Sequence, residues 1–148
     1  MSDPCIQHIE NYWKIKTTDS NELFNKGSFK AALTGYEEAL YRAEVLNTNF
    51  ADCIRVGIPF LQIYIISCNN IANTYEELHQ YEKAENILKR IIYFLLHFEG
   101  NKILDSNEIQ SELKRASLTY VSFTEKNNLK KLQQEHLFRK LKERFVTN

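Results

Sequence analysis

The apolar positions of the chain fall into six runs with helical spacing, separated by short polar breaks. Ile6, Ile9 and Trp13, then Leu23 and Phe24, follow Asp3-Pro4, a pair suited to a cap and first-turn proline. They predict a first helix over about 4–26, with a weak middle from Thr17 to Ser20. Gly27 permits a turn, and Phe29, Ala32, Leu33, Tyr36, Ala39, Leu40 and Ala43 form one face of a second helix that fades near Asn47-Thr48-Asn49. Residues 50–79 predict a third helical segment, bent or interrupted at Pro59, which cannot donate to the carbonyl of Arg55. After a break at His79-Gln80, Tyr81, Ala84, Ile87, Leu88, Ile91, Ile92 and Leu95 predict a fourth helix ending near Gly100. A fifth, capped by Asp105 or Ser106, carries Ile109, Leu113, Ala116, Tyr120 and Phe123. Leu129, Leu132, Leu137, Leu141 and Phe145 stripe the sixth. Helices joined by breaks this short imply antiparallel neighbours.

Two of these runs repeat one another. NELFNKGSFKAALTGYEEAL at 21–40 aligns with NTYEELHQYEKAENILKRII at 73–92, so that Asn21, Leu23, Phe29, Ala32, Tyr36 and Ala39 face Asn73, Tyr75, Tyr81, Ala84, Leu88 and Ile91. Every match is offset by 52 residues. The pattern resembles the tetratricopeptide repeat: a large residue, Ala, a large residue and a small one along the second helix of a hairpin, with Ala where two helices cross closely. Ile71-Ala72-x-x-Tyr75 resembles the family's first-helix motif, and Ser20-Asn21 and Gly27 resemble its Gly-Asn and mid-repeat Gly. The offset of 52 exceeds the family's repeat of about 34, which asks for longer helices or an extra turn near Phe50 to Phe60. A third hairpin, at an offset of 48, has Leu132 where Ala belongs.

The resemblance implies an all-α fold: one domain over 1–148, a right-handed superhelix of about three antiparallel hairpins at roughly 4–48, 50–99 and 104–146, with longer than usual helices. It also implies that the first helices of the hairpins line a concave groove. The candidate peptide-binding residues are Asn21, Asn69, Asn70, Asn73, Glu76, Glu77 and Lys114. Asn carboxamides offer both a donor and an acceptor to the backbone of an extended peptide. On the first helix, Lys14, Thr17, Thr18, Phe24 and Asn25 share that face; on the fifth, Ser117, Leu118, Val121 and Thr124 do. Some members of the family clamp a C-terminal carboxylate with two Asn and three cations. Asn21, Asn70 and Lys114 match that set, but Thr17 and Leu118 replace two of the cations, which argues against such a clamp.

Composition agrees with helices: 4 Gly and 2 Pro in 148 residues are too few turn formers for an all-β chain. Net charge is zero, so no bulk field directs the chain to nucleic acid or anionic lipid, and neither partner is expected. The charge is uneven, however, with residues 126–148 at +5 and the remainder at −5. The final basic amphipathic helix reads as an end cap whose cations face solvent, with an anionic surface as its other use. The first residues, MSDPCIQHIENYWK, have no basic region followed by an apolar run, and VGIPFLQIYII at 56–66 is too short to span a bilayer, so a cytoplasmic protein is expected.

Cys5, Cys53 and Cys68 are odd in number and far apart, which favours reduced thiols over disulfides or zinc. His8, His79, His97 and His136 show no ligand spacing, and no nucleophile sits beside an oriented base. Trp13 and Tyr12 suit core roles, and Cys68 a small core position. No catalytic residue, metal or cofactor is expected. The expectation is a non-enzymatic module that binds a protein or peptide segment in its groove. The alternatives are a self-associating, homo-oligomeric adaptor or a chaperone-like protein for a secreted or assembled client.

Overall fold

The first two apolar runs form α1 (Asp3–Asn25) and α2 (Phe29–Thr48), and the break between them is a tight reversal at Gly27. In the computed structural model, which describes residues 1–127 and 132–146, every regular element among the described residues is helical. The others are α3 (Phe50–Val56), α4 (Phe60–Glu77), α5 (Tyr81–Phe98), α6 (Ser106–Asn127) and α7 (Leu132–Leu141), followed by a wide π-type turn over Lys142–Val146. Among these residues no single helix is long and apolar enough to cross a membrane. The chain divides into two compact units, Met1–Ala84 and Glu85–Asn148.

In the first unit α1 packs along α2, and α2 packs against α4. The weak middle expected for α1 is in fact a close contact with α2. Thr17 and Ser20 are buried, and α1 runs through them without a break. A Cβ placed on Gly35 would stand 3.3 Å from the Ser20 Cβ and only 2.1 Å from its Oγ. Small polar residues here are what lets two backbones approach, alongside the fully buried Ala32, Ala39 and Ala43 of α2. Trp13 closes the same core, its indole Nε1 donating to Ser67 Oγ at 2.7 Å while that hydroxyl donates to the Ile63 carbonyl. The N-cap of α1 is Ser2 rather than Asp3: Ser2 Oγ accepts from the Cys5 N–H at 3.4 Å. Asp3 is drawn away by Arg55, whose guanidinium lies 2.7 Å from its carboxylate.

The third run divides. Helix α3 ends at Gly57, Pro59 leads into α4, and the axes of α3 and α4 meet at 115°. This short helix lies between the two matched segments. It packs on α1 and α2 through the fully buried Cys53 and is tied to α1 by Arg55, which pairs with Asp3 as well as with Asp52 of its own helix. The rings of Phe50 and Phe60 close the corner at 5.8 Å.

The two turns flanked by the matched segments agree bond for bond. After α1, Gly27 N–H donates to Phe24 O and Ser28 N–H to Leu23 O; after α4, His79 N–H donates to Glu76 O and Gln80 N–H to Tyr75 O. Both are Schellman closures with a left-handed residue, Gly27 at φ 81° and His79 at φ 58°. His79 is not glycine, so it carries strain that Gly27 does not, and its ring Nδ1 hydrogen-bonds the Tyr81 hydroxyl at 2.8 Å.

In the second unit the apolar face of α5 buries Ile91, Ile92 and Leu95, α6 buries Ile109, Leu113 and Tyr120, and α7 adds Leu137 and Leu141. Asp105 caps α6 as expected, accepting from the N–H groups of Asn107 and Glu108. Arg144 in the π-type turn reaches Glu99 at 2.7 Å. Leu129 lies outside the described residues, as does the side chain of Leu132.

Candidate functional site

A recess of about 220 Å³ opens in the first unit, lined by Asn21, Phe24 and Asn25 of α1, Tyr36 of α2, and Asn70 and Asn73 of α4. Helical spacing explains the convergence: Asn21, Phe24 and Asn25 stand at i, i+3 and i+4, and Asn70 and Asn73 at i and i+3, so each set shares one face. Tyr36, almost wholly buried, donates its hydroxyl to Asn21 Oδ1. That bond fixes the Asn21 carboxamide and leaves its NH₂ for a ligand. Burial pushes the Tyr36 hydroxyl above its ordinary pKa, so it stays a donor at neutral pH. Among the described residues, the carboxamides of Asn25, Asn70 and Asn73 make no hydrogen bond.

Among the described residues no charged side chain lines the recess. Its lining is four amides, a tyrosine and a phenylalanine, the latter set edge-on against Phe29 with centroids 5.1 Å apart. Such a surface can pair with both N–H and C=O of an extended backbone and has no cation to select a carboxylate.

Of the residues expected from sequence, Asn21, Asn70 and Asn73 are brought together here. Asn69, half-buried on α4, does not line the recess, and neither do Glu76 and Glu77 in the last turn of that helix. Lys114 is exposed on α6, in the second unit. Two other groove-facing expectations are corrected. Thr17 is buried, packed inward rather than open to a ligand. On α6, Ser117, Val121 and Thr124 are also buried, with the two hydroxyls returned to the carbonyls of Leu113 and Tyr120. Tyr36 had looked like a packing residue alone. Its tie to Asn21 joins two helices, so no single-helix period could reveal it.

Cys5 is exposed, whereas the other two thiols are shielded. Cys68 is fully buried, and Cys53, also buried, is pushed up to about 11, first by burial and then by Asp52 and Glu10. Among the described residues no three His, Cys, Asp or Glu side chains group in a way that could hold a metal ion.

Residues 11–143 match the model of a family described as Protein of unknown function (DUF2753), and the chain belongs to that family. It matches no curated protein and no solved structure.

Proposed function

We propose that this is a non-enzymatic, tetratricopeptide-like interaction module that holds an extended segment of a partner protein against the amide-lined recess. The observation that carries the reading is the convergence of Asn21, Asn25, Asn70 and Asn73 from two helices onto one uncharged surface. Carboxamides anchored on long helices are preorganised, so the bound segment bears most of the ordering cost. The repeated hairpin and its repeated turn support the tetratricopeptide-like superhelix, with α3 as an insertion between its first two units.

The test is a pull-down read by mass spectrometry with the wild type and an Asn70→Ala, Asn73→Ala double variant. Partners captured by the wild type should be depleted from the double variant at unchanged helicity. Equal capture by both would remove the recess as the binding surface.

A further inference from the structure

A second surface has the opposite chemistry. In the second unit a cleft of about 950 Å³ opens between α5 and α7, with Lys89, Arg90 and Tyr93 on one wall and His136, Leu137 and Lys140 on the other. Among the described residues no carboxylate lines it. Lys89, Arg90 and Tyr93 follow helical spacing on α5, and His136 and Lys140 stand at i and i+4 on α7, so each helix presents its cations along one face. Lys89 leans on the buried Glu85 at 3.7 Å, while Arg90 and Lys140 are exposed at the rim. Between them lie the ring of Tyr93, 56% exposed, and the side chain of Leu137.

We infer that this cleft binds an acidic peptide segment of a partner protein, one that carries an apolar anchor residue. Charge complementarity argues for the acidity. Residues 85–148 hold twelve Lys and Arg against eight Asp and Glu, and the cleft gathers three of those cations, of which Lys89 is already paired with Glu85. The lining comes from helix interiors, whose backbone N–H groups are already bonded within the helix, so the cleft has no backbone nest for a phosphate. Its volume also exceeds what a small inorganic anion would fill. Carboxylates spaced along a chain suit separated cations, and the exposed Tyr93 face with Leu137 gives an apolar side chain somewhere to dock. The inference stands apart from the amide-lined recess, which has no charge to offer.

Fluorescence anisotropy with a labelled synthetic peptide of Glu and Asp residues carrying two Leu tests it. Binding should saturate at low salt and weaken as salt rises. An Arg90→Glu, Lys140→Glu variant should lose at least about tenfold in affinity at unchanged helicity, and Tyr93→Ala several-fold. Replacing both Leu of the peptide by Ser should also weaken binding, whereas the Asn70→Ala, Asn73→Ala variant should bind normally. The inference is overturned if the peptide does not bind at low salt, or if the charge-reversed variant binds it as well as the wild type. It is equally overturned if phosphatidylserine vesicles or inorganic polyphosphate bind in preference to the peptide. Residues 1–84 hold seven basic and eleven acidic side chains, so a second copy of the chain is a rival occupant. Dimerisation abolished by the charge reversal, without peptide binding, would assign the cleft to that copy instead.

Discussion

The two matched segments share a scaffold and differ in what they do with their asparagines. In both, an Ala is sealed inside (Ala32 and Ala84) and the preceding helix closes through the same two hydrogen bonds. In the first, Tyr36 reaches Asn21 and fixes it. In the second, Leu88 stands at the matched position with no hydroxyl, and the Asn73 carboxamide makes no hydrogen bond among the described residues. In the first segment, then, a residue on the neighbouring helix commits the carboxamide of its asparagine. A tethered Asn21 beside the uncommitted Asn25, Asn70 and Asn73 gives the recess one oriented amide and three adaptable ones.

Substitutions can break the shared part first. Ala32→Leu and Ala84→Leu should each destabilise by about 3 kcal/mol, since neither fully buried site can take extra methylenes without separating helices. Chemical denaturation measures this, and a large loss at only one site would mean that the two segments do not pack alike. The turns should respond in opposite directions. Gly27→Ala should cost about 1.5 kcal/mol by forcing a side chain into the left-handed region, whereas His79→Gly should gain somewhat less, because it relieves that strain but gives up the bond to Tyr81. Thermal melts that move the same way for both would contradict the equivalence of the turns.

The contact that distinguishes the first hairpin is Gly35 against Ser20. Gly35→Ala should destabilise by about 1 kcal/mol, the crowding outweighing the gain in helix propensity, and Ser20→Ala should restore most of it. An additive double-mutant cycle would deny the contact.

Tyr36→Phe should have the smallest effect on stability, a little under 1 kcal/mol, through loss of the bond to Asn21. It carries a pH signature as well. Because burial raises the folded pKa of Tyr36 above its ordinary 10.0, its contribution is intact below pH 10 and is lost as the pH rises through the folded value, the unfolded chain ionising first. Tyr120, pushed up to about 12 by burial, acts in the same direction, so the variant should show a reduced alkaline loss of stability rather than none. An unchanged alkaline profile would mean that Tyr36 is not held in a desolvated site.

Most boundaries were legible because apolar spacing and breakers coincide: Gly27, Pro59, His79-Gln80 and Asp105 all mark real ends or corners, although seven helices stand where six were expected. The repeat was legible through Ala32 and Ala84. Three features escaped. Thr17 and Ser20 read as weakness because propensity scores a helix alone, and only Gly35 on the partner helix explains why Ser20 must be small. The interruption at Pro59 was expected, but α3 was not set apart as a helix of its own, since a seven-residue helix is too short to establish its own period. The face of α6 was misassigned because Ser and Thr look solvent-facing in a sequence, yet they can be buried with their hydroxyls returned to the preceding turn. The recess was half legible: Asn21, Asn70 and Asn73 came from the repeat pattern, whereas the hydroxyl that orients Asn21 depends on how two helices meet.

The most direct test of the amide-lined recess is to select peptides from a displayed random library on the wild-type chain and measure their affinity for the Asn70→Ala, Asn73→Ala variant. At unchanged folding stability, most selected peptides should bind the variant about tenfold or more weakly, as expected when peptide backbone groups lose two hydrogen-bonding partners. Selected peptides that bind the double variant with undiminished affinity would contradict the account.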